Sequence, residues 1–196
     1  MIQLDCENTI WILPGPIGGG RSCSIAGEAI PVDLGARGLL FVTLHGRLVG
    51  PPSTLRIDTN PIYLMGLARA FPDAGKDAQG HLKFLPMLRD LKREQPKADL
   101  PLMYLPMLVR FRDISDPKSV EEVDPDHVDA SFGPGAQIVS ASIAVTDDPV
   151  TRGIEKLLPW VDAMGGATLD GDLSVARSPN APLSNHLGTG DFQIRN

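Results

Sequence analysis

The chain is poor in the residues that most often announce a function. Aromatics make up 5% of its 196 positions, cysteines number two and histidines four, and acids outnumber cations by 24 to 18. The resulting formal charge of −6 excludes a general attraction to nucleic acid or to an anionic membrane surface. No apolar run approaches the ~18 residues of a membrane span, and the first residues lack the basic start and apolar stretch of a signal peptide. The chain therefore reads as soluble, and as cytoplasmic if Met1 is the native start. His45, His81, His127 and His186 are isolated, with neither H-x-x-x-H nor H-E-x-x-H among them, which speaks against a metallohydrolase. G-x-S-x-G is missing too, so no nucleophile elbow is signalled. No metal and no cofactor is expected.

What is there points to one folded body. Leu, Ile, Val and Phe together supply 55 residues, 28% of the chain and more than a disordered chain carries. A domain of this length buries roughly 70% of its unfolded surface and needs no disulfide or metal to hold a core. Gly and Pro together reach 38 residues, about 19%, so the chain turns often and its elements are short, which excludes a long-helix bundle.

Patterning divides residues 1–196 into regions of a single domain. Residues 1–50 read as three antiparallel strands, with β-prone segments at 8–13, Ser22 to Val32 and Gly38 to Leu44 separated by Pro14-Gly15-Pro16, Gly18-Gly19-Gly20 and Asp33-Leu34-Gly35. Residues 60–97 read as a helical layer: a short helix from Pro61, then a second over His81 to Gln95, where Leu82, Leu85, Leu88 and Leu91 recur and Pro86 sits near the first turn. Residues 105–165 read as strand–helix–strand–helix. Strands are expected over Leu105 to Phe111, Ser119 to Val123 and Gln137 to Thr146, with helices from Asp124-Pro125 to Phe132 and over Thr151 to Met164. Residues 166–196, rich in Ser, Asn, Gly and Pro, read as an ordered tail packed on the body by Leu169, Leu173, Leu183, Leu187 and Phe192. The fold class implied is α+β, loop-rich, with an antiparallel sheet and helices packed on one face.

Four features carry chemistry in outline. Gly15 to Ser22 fits the phosphate-loop spacing except that Arg21 stands in the lysine position, and the segment after it lacks the helix that a phosphate loop needs, so a glycine-rich hairpin is the better reading. Cys6 and Cys23 flank this segment and admit two readings. Either they lie across a hairpin and close a disulfide worth roughly 3 kcal/mol in an oxidising compartment, or they are two unpaired small residues, the commoner case. The acidic run Asp113, Asp116, Glu121, Glu122, Asp124, Asp126 and Asp129 lacks EF-hand spacing and reads as a solvated edge supplying caps and turns. The charged turn residues Arg110, Arg112, Asp113 and Asp116, with His127, are the candidate binding residues, either as a polar cluster at a sheet end or as an ion-pair network that pins the turn.

A longer pattern adds a resemblance. Leu105 to Asp113 (LPMLVRFRD), Asp116 to Asp126 (DPKSVEEVDPD), Ser131 to Gly135 (SFGPG), Ile143 to Thr151 (IAVTDDPVT) and Gly153 to Lys156 (GIEK), with Gly27 to Gly35 upstream and Leu169 to Gly171 and, more weakly, Asn180 to Phe192 downstream, resemble a family of uncharacterised proteobacterial proteins. Members are often predicted envelope proteins or lipoproteins, and the family carries no assigned activity. The resemblance extends over about 60% of the chain and departs between Pro51 and Asp99. It implies a periplasmic or envelope location and a backbone set by turns and caps. The function expected is a non-enzymatic binding or accessory protein, of the bacterial envelope or a mobile element, with a protein partner and no nucleic acid. A small hydrolase using Asp or His on loops 110–127, and an inhibitor or immunity-type protein binding a basic partner, are the alternatives.

Overall fold

The computed structural model describes residues 2–11, 18–44, 48–49, 56–57, 67, 70–81, 83–171 and 181–195. Alternation begins earlier than the β-prone segment at 8–13: Ile2, Leu4 and Cys6 alternate with Gln3, Asp5 and Glu7, and β1 runs Ile2–Trp11. Its partner β2, Gly18–Glu28, starts inside the glycine triplet, so Gly18, Gly19 and Gly20 are strand residues and the chain after the phosphate-loop-like spacing is extended. Then come β3 (Ile30–Asp33), β4 (Leu39–Val42) and the short pair β5 (Leu48–Val49) and β6 (Arg56–Ile57). The first fifty residues thus hold more strands than the three expected, because Ala29 divides the Ser22 to Val32 segment between two sheets.

The helix expected from Pro61 lies almost wholly outside the described residues. The second is α1, Phe84–Glu94, with Pro86 in its first turn, where a proline costs no helical hydrogen bond. Among its described side chains Met87 and Leu91, four apart, are buried, and Gln95 ends it in the left-handed conformation. Next come β7 (Lys97–Asp99), a 3₁₀ turn at Leu102–Tyr104, β8 (Leu108–Phe111) and β9 (Val120–Glu122).

Three expected elements are shorter than the pattern predicts. Asp124-Pro125 makes a turn instead of a helix start: the Asp124 side chain accepts from the Asp126 amide at 3.0 Å and its carbonyl from His127 at 3.1 Å, so α2 spans only Val128–Phe132. The Gln137 to Thr146 strand contracts to β10, Ser142–Ala144, because it pairs only with the three-residue β7. The helix expected over Thr151 to Met164 splits at Pro159 into a 3₁₀ turn at Ile154–Lys156 and α3, Trp160–Ala163. The tail holds α4 (Leu183–His186), a 3₁₀ turn at Thr189–Asp191 and β11 (Gln193–Ile194).

The architecture is α+β, built on open antiparallel sheets. The central sheet has the order β3-β4-β8-β9, and a second sheet has the order β1-β2-β11. Period-two alternation sorts the central sheet's side chains into two cores. Phe41, Val109, Phe111 and Val120 share one face with Trp160, Val161, Leu158, Leu187 and Phe192, while Leu40 and Leu108 share the other with Val123, Val128 and Phe132. The helical cover is therefore divided: α3 packs on the first face and α2 on the second.

Four of the ten aromatic side chains that the sequence holds as Phe, Trp and Tyr meet at the centre of the first core. Phe41, Phe111, Trp160 and Phe192 pack with ring centroids 5.4 to 6.4 Å apart, mostly edge-on or tilted as ring quadrupoles prefer. Phe192 comes from the tail and is fully buried. Its carbonyl accepts from Ala29 at 2.8 Å, and the Asp191 carbonyl accepts from Leu44 at 2.8 Å, so the tail ties the two sheets together.

Candidate functional site

The charged turn after β8 is built by register. Arg110 on β8 stands opposite Glu121 on β9, so both lie on the same side of the sheet. Arg110 donates through Nε and Nη2 to Glu121 Oε2 at 2.9 and 2.7 Å, and through Nη1 to the Ser131 carbonyl. Its guanidinium also lies over the Phe132 ring, 5.7 Å from the centroid. Arg112 takes the other oxygen, with Nε 2.8 Å from Glu121 Oε1. One carboxylate is thus shared by two arginines, and through Arg110 it fastens β8 and β9 to the end of α2.

Asp113 and Asp116 shape the intervening turn. Asp113 accepts from the Ser115 amide at 2.9 Å and the Ser115 hydroxyl at 2.6 Å. Those two donors, the hydroxyl first, hold the Asp113 carboxyl below the ordinary carboxylate range. Asp116 accepts from the Lys118 amide at 2.9 Å and caps the 3₁₀ turn Pro117–Ser119. The Ser119 hydroxyl accepts from the Asp113 amide at 3.0 Å and sits 2.8 and 2.7 Å from the carbonyls of Asp113 and Asp116. At the tip, the Ile114 carbonyl accepts from Trp160 Nε1 at 3.0 Å, which pins the turn to the aromatic core. His127 is exposed and precedes α2. Of the five candidates, the structure brings Arg110 and Arg112 together through Glu121, while Asp113 and Asp116 commit their carboxylates to donors of their own turn.

A separate concavity lies elsewhere. It is an open groove of about 440 Å³ lined by Val161, Gly165, Gly166, Thr189, Gln193 and Arg195 among others, and none of the five candidates reaches it. Arg195 at its rim pairs with Asp162 at 3.1 Å and Glu155 at 3.6 Å. Among the described residues, no cluster of three or more His, Cys, Asp or Glu side chains has a metal-binding arrangement. No helix among them is long and apolar enough to cross a membrane.

Several buried polar residues carry no signal in the sequence. Glu28, at the end of β2, is 5% exposed; it accepts from the Ile154 amide at 3.0 Å and from Gln193 Nε2 at 3.2 Å, joining β2, the Ile154 turn and β11. Thr168, Ser184, His186, Thr189 and Asp191 are buried where the tail folds back on residues 167–171. That fold-back is fastened by Leu169 to Leu187 at 2.9 Å, Thr189 to Ala167 at 3.2 Å, and the Gly188 amide to Asp191 Oδ2 at 2.7 Å. A buried carboxylate whose partners lie more than a hundred positions away leaves no local pattern to read.

Among the described residues, the outer edge of the central sheet carries no neighbouring strand. All four residues of β3 are exposed, and among the described residues β3 is an edge strand. Ile30 pairs with Val42 and Val32 with Leu40, so the two apolar side chains prolong the Leu40 and Val42 face beyond the core. They stay 53% and 38% exposed. An edge strand offers unpaired backbone donors and acceptors, and here a row of apolar side chains runs beside them. Pro31, which lacks an N–H, limits indiscriminate pairing at that edge. Comparison with known proteins adds no relative: the chain matches no family model, no curated protein and no solved structure.

Proposed function

We propose that the chain is a non-enzymatic binding or accessory protein that takes a protein partner along the outer edge of β3. The observation that carries this reading is the exposed edge strand Ile30–Asp33, with Ile30 and Val32 continuing a core face into solvent. The charged residues that would otherwise suggest chemistry support it from the other side. Glu121 is shared between Arg110 and Arg112, and Asp113 and Asp116 are occupied by amide and hydroxyl donors. The resemblance to the proteobacterial family favours the envelope as the compartment.

The test compares tagged full-length chain with an Ile30→Lys/Val32→Lys variant for capture of proteins in the native host. Both substituted positions are exposed, so the two forms should unfold at the same urea concentration, within about 0.5 kcal/mol. A specific partner recovered with the parent chain should fall at least about tenfold with the variant, the loss expected when two apolar contacts of an interface are replaced by charge. Recovery of background alone, or equal recovery with both forms, would overturn the reading.

A further inference from the structure

We infer that Cys6 and Cys23 form a reversible cross-strand disulfide that locks the register of the β1–β2 ribbon. The carrying observation is that Cys6 and Cys23 are register partners, directly opposite one another in this antiparallel pair. Opposed residues of antiparallel strands share a face and have Cα atoms about 4.5 or 5.5 Å apart. Both spacings fall inside the ~4.4–6.8 Å that a disulfide spans. The seventeen-position separation in sequence thus becomes adjacency by backbone geometry alone.

The ribbon has reason to need such a lock. Ten residue pairs link β1 to β2, but β11 reaches only Gly27 and Glu28, so most of the ribbon has no third strand among the described residues. A two-stranded ribbon is marginal in water. At its far end Thr9, Ile10 and Trp11 face Gly20, Gly19 and Gly18, and glycines specify register weakly. A slip of one residue would exchange the faces of every position in the ribbon. The cysteine pair lies at the fifth of the ten pairs, between the anchored base and the glycine-rich end, where one covalent bond fixes the alignment of both halves.

The step balances with a low-molecular-weight disulfide as oxidant. The thiols of Cys6 and Cys23 each lose a hydrogen, the S–S bond between them forms, and the two electrons break the S–S bond of glutathione disulfide to release two molecules of glutathione. A mixed disulfide on one cysteine is the intermediate, and the opposed cysteine resolves it.

The experiment equilibrates the purified full-length chain with glutathione buffers of known ratio, quenches with acid, alkylates, and reads intact mass, in native buffer and in concentrated urea. The expected product is monomeric, about 2 Da lighter than the reduced chain, closed to alkylation and restored by dithiothreitol. Its equilibrium constant against glutathione should be at least about tenfold larger in native buffer than in urea, because only the folded ribbon holds the two cysteines in register. Cys6→Ser and Cys23→Ser should each retain one glutathione on the remaining thiol, whereas the parent chain retains none. Disulfide-linked dimers, stable glutathione adducts on both cysteines of the parent, or equal constants with and without urea would overturn the inference.

Discussion

At the scale of single residues, Glu121 holds the most tension. It takes two hydrogen bonds from half-buried Arg110 on one oxygen and an ion pair with Arg112 on the other, yet Arg112 is 72% exposed while Arg110 is 28% exposed. Exposed pairs contribute little, and partly buried ones leave an unsatisfied charge when broken. Glu121→Ala should therefore cost roughly 1–3 kcal/mol in urea unfolding, against about 0.5 kcal/mol or less for Arg112→Ala. Equal losses would mean that the guanidinium of Arg110 finds its support elsewhere. Phe192 is the other residue on which much rests. It is fully buried among Phe41, Phe111 and Trp160, and Phe192→Ala should cost about 3–5 kcal/mol, read as a fall in the urea midpoint at unchanged slope. Loss below about 1 kcal/mol would contradict the central place given to the tail.

At the scale of elements, the loop before α1 is set by a close approach. Gly75 has φ +69°, and a Cβ there would lie 2.3 Å from the Met87 amide nitrogen and 2.4 Å from its Cα. The Gly75 carbonyl accepts from Lys83 at 2.9 Å, and the Asp77 side chain holds the intervening turn through the amides of Gln79 and His81. Gly75→Ala adds left-handed strain to a clash with helix backbone, for an expected loss of about 2–5 kcal/mol, whereas Gly80→Ala, at φ +80° in open space, should cost only about 1–2 kcal/mol. Thermal unfolding of the pair decides whether the contact with α1 or the backbone angle dominates.

Legibility from sequence also divides by element. The strand before the charged turn, the turn itself, the strand after it and the helix over Phe84–Glu94 are written in local alternation, caps and periodicity. Elements that depend on a distant partner are not. Ser142–Ala144 is as long as Lys97–Asp99 allows, and the helix expected over Thr151 to Met164 breaks where Pro159 outweighs a sound apolar spacing. The candidate cluster is legible as a set of residues but not as a function. Arg110 and Glu121 are eleven positions apart, and only cross-strand register reveals that they neutralise one another. The exposed edge at Ile30–Asp33 is hidden because exposure of an apolar strand depends on which strand has a neighbour on both sides.

At the scale of the whole molecule, two open antiparallel sheets are joined by a tail whose last residues enter the core and one of the sheets. The interior is devoted to holding this arrangement: an aromatic cluster, a buried Glu28 and a fold-back of polar residues. What the molecule offers outward is an apolar sheet edge and a net acidic surface. The most direct measurement is site-specific photocrosslinking in the native host, with the photoreactive residue placed at Val32 or, as an exposed comparison on another sheet, at Lys97. A partner seated on the β3 edge should give a discrete light-dependent protein adduct from position 32 that is absent from position 97. No adduct from position 32, or the same adduct from both, would contradict that seat.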